Sequence, residues 1–227
     1  MCTRYMTPDQ AAMERYWQIG RDNNPWRERR QVFPHTLAPF IRAGRAAGEP
    51  GRELVVGQWG LIPWFAKAAK LTYSTMNARI EGIADKASYK QSWLHGKRCI
   101  IPAESFDEPC WETGRNVWWQ FRRADGAPWG LAGLWNAWTD PATGEIIPSY
   151  TMLTVNADGH PLFARMHKPD PKLPPDRQDK RSVIPIEFAD VDTWLHGTTE
   201  DVQALIRVPP AEAFEAGPDT VHGLAGA

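Results

Sequence analysis

The sequence predicts an α+β fold, with twisted, mostly antiparallel, barrel-like β-sheets flanked by several short helices. Three observations carry this expectation. Strand-like runs are scattered between helical ones and joined mostly by hairpin turn signals, an order that suits antiparallel sheets. No internal repeat, low-complexity block or linker divides the 227 residues. A chain of this length can bury about 70% of its unfolded surface. Residues 1–208 are therefore expected to form one domain, with 209–227, rich in Ala, Gly and Pro, as a loosely held tail.

In order along the chain, a first strand leads to Thr7-Pro8-Asp9-Gln10, which reads as a helix start. Threonine is the expected cap, proline takes the first helical position and Gln10 completes a capping box; the helix should reach about Ile19 and stop at Gly20. Residues 22–30 are polar and irregular. Residues 36–42 and 53–59 look like two strands joined by a glycine-rich connection, followed by an aromatic loop through Trp64 and Phe65 that Pro63 keeps from continuing as a central strand. Residues 88–95 form a short helix ending at Gly96, and 98–102 an apolar strand. Residues 117–122 and 129–135 are expected to pair as a hairpin around Ala124-Asp125-Gly126. Another strand covers 149–155, and two late helices cover 187–196 and 200–206. Between Lys168 and Lys180 four prolines and many charges forbid helix or central strand, so 168–180 is a surface insertion or a loop beside a site.

The totals narrow the function classes. Lys and Arg number 26 against 27 Asp and Glu, for a net charge of -1. That argues against a surface coated with phosphate contacts, so any nucleic-acid site must be a local basic groove. Twelve tryptophans serve a core, and they also offer flat faces on which unpaired bases stack. No apolar run approaches the ~20 residues that span a bilayer, and the N-terminus lacks a signal-peptide pattern. A cytoplasmic protein is expected. Cys2, Cys99 and Cys110 fit a reducing compartment and make no C-x-x-C pair. His160 and His167 have no third ligand of matching type nearby, so neither metal nor other cofactor is expected. Nothing suggests heptads or an obligate interface, and a monomer is expected.

The chemistry centres on Met1-Cys2. Methionine is normally trimmed before a small residue, which leaves a terminal cysteine with amine and thiol on neighbouring carbons. Their reference pKa values, about 7.7–8 and about 8.5, leave both partly nucleophilic at neutral pH. Such a pair traps an aldehyde twice, first as an imine and then as a five-membered thiazolidine. In Met76-Asn77-Ala78-Arg79-Ile80-Glu81, Asn77 and Arg79 share a face if the segment is extended. The amide suits an oxygen and the guanidinium a phosphate, although a solvated stretch would look the same. Glu104, Asp107 and Glu108 lie directly after an apolar strand and beside Trp111. A carboxylate in apolar surroundings has its pKa raised and can act as a general acid; the plain alternative is a charged turn.

Together these pieces resemble the SOS response-associated peptidase family. The resemblance rests on Met1-Cys2-Thr3-Arg4-Tyr5, Trp59-Gly60-Leu61-Ile62-Pro63, Asn77-Ala78-Arg79-Ile80-Glu81, the Pro102-Ala103 to Glu108 turn and Leu162-Phe163-Ala164-Arg165-Met166-His167, in the family's order. It implies a sensor of abasic sites in single-stranded or junction DNA. Cys2 then matches the nucleophile, Asn77 an amide near the linkage, Glu108 the general acid/base and His167 a group assisting sugar opening. Arg4, Arg79 and Arg181 match phosphate-gripping arginines, and Trp64 and Phe65 an aromatic wedge. The chain departs from the pattern with Thr3 for glycine, with Gln31-Val32-Phe33-Pro34, with Pro109 after the glutamate, and with His167 and Arg181 split by the insertion. Two rival readings stand beside this one. One is a peptidase or amidohydrolase with Cys2 as N-terminal nucleophile, removing its own Met1; the other is a non-catalytic single-strand binding module.

Overall fold

The computed structural model describes residues 2–19, 26, 28–44 and 51–219. Strand β1 (Arg4–Met6) leads into helix α1 (Gln10–Trp17). The helix starts later than the sequence suggested. Asp9, not Thr7, is the cap, its carboxylate accepting from the amide of Ala12 at 2.8 Å. Thr7 is occupied elsewhere: its hydroxyl donates to the carbonyl of Arg30 and accepts from the Arg30 amide. The helix closes at Gln18, which adopts the left-handed conformation at φ 52°. Gly20, the expected stop, lies outside the described residues, as does much of 22–30.

The chain continues through β2 (Gln31–Val32), β3 (Leu37–Gly44) and β4 (Gly51–Trp59). After the aromatic loop come β5 (Asn77–Arg79), α2 (Ala87–Leu94), β6 (Arg98–Ala103) and β7 (Ser105–Cys110). The long strands β8 (Val117–Arg123), β9 (Trp129–Thr139) and β10 (Ile146–Asn156) follow. Short β11 (Arg181–Val183) and β12 (Pro185–Ile186), helices α3 (Val191–His196) and α4 (Thr199–Gln203), and β13 (Phe214–Pro218) complete the order.

Five strands close a barrel. β9 pairs with β10, β10 in parallel with β4, β4 with β3, β3 with β6, and β6 again with β9. Gly133 of β9 sits where backbones crowd: a Cβ there would lie 2.7 Å from the Thr151 carbonyl oxygen and 2.8 Å from the Cys99 sulfur. Pro102 is tolerated in β6 because the β3–β6 pairing covers only Ile41↔Ile100 and Arg42↔Cys99, so its missing amide breaks no bond there. A second, antiparallel sheet runs in the order β13-β8-β7-β1-β2. The α+β expectation holds, with one parallel pairing in the barrel wall.

The expected hairpin between 117–122 and 129–135 does not form. β8 pairs with β7 and β13, whereas β9 belongs to the barrel. The Asp-Gly signal does make a turn, with Gly126 at φ 75° and the Ala127 amide on the Asp125 carboxylate. That turn carries the chain from one sheet to the other. Phe106, Phe121 and Phe163 stack in the core, with ring centroids 5.1 and 5.2 Å apart along the series. The tail also differs from expectation up to Asp219: β13 pairs with β8, and Phe214 packs on Trp129 at 5.0 Å. Residues 220–227 lie outside the described residues. The insertion is solvent-exposed over most of its length and turns on Gln178, whose side chain bonds the backbone of Asp170, Leu173 and Pro174.

Candidate active site

The join between the two sheets brings the chemistry together. In the β1–β7 pairing Arg4 faces Asp107 and Tyr5 faces Phe106, so Cys2, just ahead of β1, is directed toward the far half of β7 that holds Glu108. On the barrel side, β10 pairs Met152 with Asn77 and Asn156 with Arg181. An isolated bridge between Cys110 and Met166 brings His167 alongside.

Cys2 is fully buried. Its carbonyl oxygen accepts from Nδ2 of Asn77 at 2.7 Å, and its thiol donates to the carbonyl of Arg4 at 3.2 Å. Oδ1 of Asn77 is buried and has no hydrogen-bond partner among the described residues. Burial pushes the Cys2 thiol well above its ordinary pKa, and the negative charges of Glu108 and Asp107 push it further. The thiol is therefore protonated at rest.

Glu108, 1% exposed, places Oε2 3.0 Å from Nε2 of His167. The sequence reading expected its pKa to be raised. Burial does push it up, but the positive charge at the chain's amino terminus and His167 outweigh that and hold it below the ordinary carboxylate value. Glu108 is thus a carboxylate at neutral pH, a proton acceptor before it is a donor. His167 itself occupies the left-handed region at φ 60°, its amide donating to the carbonyl of Pro109 at 2.6 Å.

The arginines are held by carboxylates. Nε of Arg4 meets Asp107 at 2.6 Å and its Nη2 meets Asp219 at 2.8 Å, while its guanidinium lies over Trp118 at 4.6 Å. Arg181 is nearly buried, paired with Glu81 at 2.5 Å and Asp179 at 3.2 Å, and bonded to the Thr154 carbonyl. Arg79 also pairs with Asp179, but it is 57% exposed. Trp64 and Phe65 meet edge to face and are 66% and 42% exposed, on a loop anchored through Ile62 to Ser149 and Asn136. Cys2, Asn77, Glu108 and His167 thus share one buried locus, with Arg4 at its edge. Arg79 and Arg181 meet through Asp179.

Several contacts at the site went unnoticed in the sequence. Asp107, one of the three candidate carboxylates, and Asp219, 215 positions beyond Arg4, share the Arg4 guanidinium. Lys180 donates to the carbonyls of Met166 and His167. The hydroxyls of Tyr5 and Tyr150 meet at 2.6 Å in the core. Asp107 stood in the sequence as a carboxylate beside an apolar strand; nothing local announces the partners of Asp219 or Lys180. Among the described residues, no group of three His, Cys, Asp or Glu is placed to hold a metal ion, and no helix is long and apolar enough to cross a membrane.

Comparison with known proteins places the fold and the family. A crystal structure from Bordetella bronchiseptica superimposes with a TM-score of 0.82 at 33% identity, covering 97% of this chain and all of that one. A second, from Bacteroides thetaiotaomicron, shares the fold at TM-score 0.70 and 19% identity, covering 95% of this chain and 90% of the other. The Bacillus subtilis abasic site processing protein YoqW is 32% identical over 165 residues, which span 70% of this chain and 66% of that protein. The Xenopus tropicalis abasic site processing protein HMCES is 29% identical over 167 residues, 62% of this chain and about half (49%) of its own length. The model of one family, SOS response associated peptidase (SRAP), matches residues 1–220, and the chain belongs to that family.

Proposed function

We propose that this chain processes abasic sites in single-stranded or junction DNA by linking Cys2, once Met1 is removed, to the ring-opened sugar as a thiazolidine. The observation that carries the reading is the buried Cys2, held through its carbonyl by Asn77, beside the Glu108–His167 pair. The names of the relatives, abasic site processing proteins, support the substrate. Holding the aldehyde against a fixed amine makes the reaction effectively unimolecular.

His167 assists opening of the sugar hemiacetal. The Cys2 amine adds to the aldehyde carbon, and the Glu108 carboxylate takes a proton from the nitrogen and passes it to the former carbonyl oxygen, giving the carbinolamine. The second nitrogen proton travels by the same carboxylate to the hydroxyl, which leaves as water and gives a neutral imine. The thiol sulfur then adds to the imine carbon while its proton passes to the nitrogen, closing the five-membered ring. One water is released and nothing is oxidised or reduced. A raised thiol pKa suits this order, because the amine acts first. Oδ1 of Asn77, an unfilled acceptor, suits an N–H of the amine or of the ring. Arg4, Arg79 and Arg181 would steer phosphates, Arg79 being the most exposed of them, and Trp64 and Phe65 offer faces for unpaired bases.

The test is a denaturing gel and intact mass after incubation with single-stranded DNA carrying one abasic site, beside Cys2→Ala. A boiling-resistant adduct in the wild type alone, on a protein lacking Met1, is expected. An adduct of the same stability from Cys2→Ser would overturn the thiazolidine. A second reading, a cysteine-type peptidase, draws on the same Glu108–His167 pair; catalytic turnover of a peptide without a DNA adduct would favour it.

A further inference from the structure

His167 holds its ring on Glu108 from a left-handed backbone that side-chain-bearing residues rarely adopt. Directly after it the chain leaves for the exposed proline-rich segment and returns only at Lys180. Something must fix the His167 backbone against that excursion. The side chain of Lys180 is placed to do so. Its residue is 6% exposed, and Nζ donates to the carbonyl of Met166 at 2.6 Å and to that of His167 at 2.8 Å. Those carbonyls belong to the two peptide planes on either side of the His167 Cα, and the orientations of these planes define φ and ψ. One ammonium therefore holds both dihedrals.

The lysine is itself anchored. Its amide donates to the Asp158 carboxylate at 2.7 Å, and its carbonyl accepts from the Ala157 amide at 2.7 Å. We propose that Lys180 is a positioning residue, a clasp that closes the ends of the proline-rich segment and keeps the imidazole of His167 on Glu108. The segment itself can then vary without disturbing the site, because the clasp lies at its base. Burial lowers the Lys180 pKa, partly offset by Asp158.

The inference deepens the proposed function and rests on it for its kinetic consequence only. The test compares wild type, Lys180→Met and Lys180→Arg, each with Met1 removed, for crosslinking to abasic single-stranded DNA and for equilibrium affinity to an unreactive single strand. The His167 ring resonances are followed by NMR in the same samples. Lys180→Met is expected to slow crosslinking roughly 10- to 100-fold with the dissociation constant unchanged within about twofold, and to move the His167 resonances toward those of a solvated ring. Lys180→Arg, which keeps donors for both carbonyls, should recover most of the rate and the wild-type resonances. Should Lys180→Met fail to fold, Lys180→Gln, able to reach one carbonyl, is expected to show an intermediate loss. Unchanged rate and unchanged His167 resonances in a folded Lys180→Met or Lys180→Gln protein would overturn the clasp. If the wild type makes no adduct, the proposed function falls, and the His167 resonances alone decide the role of Lys180.

Discussion

Oε2 of Glu108 lies 3.0 Å from Nε2 of His167 although the carboxylate is almost wholly removed from solvent. Burial alone would make such a group a neutral acid. Here opposite charge outweighs desolvation, and the folded pKa falls below the ordinary value.

That sign sets a pH dependence. A carboxylate depressed in the folded state contributes stability that is present above its unfolded pKa, about 4.3, and is lost as pH falls through the folded value. Denaturant titrations from pH 7 to pH 3 should show the wild type losing stability more steeply below about pH 4.3 than Glu108→Gln. The same variant should slow crosslinking by roughly 10²–10⁴-fold. A parallel acid profile for the two proteins would mean that Glu108 is not depressed.

Arg79 and Arg181 share Asp179 yet differ in exposure, 57% against 5% for the side chains. Arg79→Ala is expected to leave stability nearly unchanged and to flatten the salt dependence of single-strand binding by about 0.7 in the log–log slope, the value of one phosphate contact. Arg181→Ala leaves the buried Thr154 carbonyl without its donor while Glu81 and Asp179 stay partly solvated, and should cost about 1–3 kcal/mol of stability. Urea melts and a salt series separate the two roles. A stable Arg181→Ala protein with a flattened slope would assign the phosphate to Arg181 instead.

How much of this was legible in the sequence follows from the range of the interactions. Cys2 stood out through the chemistry of a terminal aminothiol, whereas Asn77, Glu108 and His167 stood out only through the order of the short motifs that resemble the family. Part of the barrel wall was legible in the strand-like runs 36–42 and 53–59, which form β3 and β4 and pair with each other. The mistaken 117–135 hairpin shows the limit: an Asp-Gly turn fixes the local chain reversal but not the sheet that each flank joins. Asp9 displaced Thr7 as cap because the backbone of Arg30, more than twenty residues away, claims the threonine hydroxyl. Asp219 and Lys180 were invisible for the same reason, since their partners are fixed by tertiary register.

Trp64 exposes two thirds of its surface, so its removal has little packing to undo. Trp64→Ala should change folding stability by no more than about 0.5 kcal/mol and weaken single-strand binding by about 1–3 kcal/mol if one base stacks on the indole. Quenching of tryptophan fluorescence on DNA addition should fall in the variant. Equal affinity and equal quenching would remove Trp64 from the DNA path.

The paired phenols of Tyr5 and Tyr150 set the alkaline limit. Their hydroxyls meet at 2.6 Å with both residues fully buried, and burial pushes both pKa values up. The Cys2 and Cys99 thiols are pushed up by burial as well. A group raised in the folded state contributes stability that is fully present below its unfolded pKa and is lost as pH rises toward the folded value. Stability should therefore decline first above about pH 8.5, where unfolded thiols ionise, and more steeply above about pH 10, where unfolded phenols do. Tyr150→Phe leaves the Tyr5 hydroxyl without its partner and should cost about 1–3 kcal/mol at pH 7. The variant has one phenol fewer to ionise on unfolding, so the gap to wild type should narrow between pH 9 and pH 11. A gap that stays constant over that range would show that the two phenols do not resist ionisation in the fold.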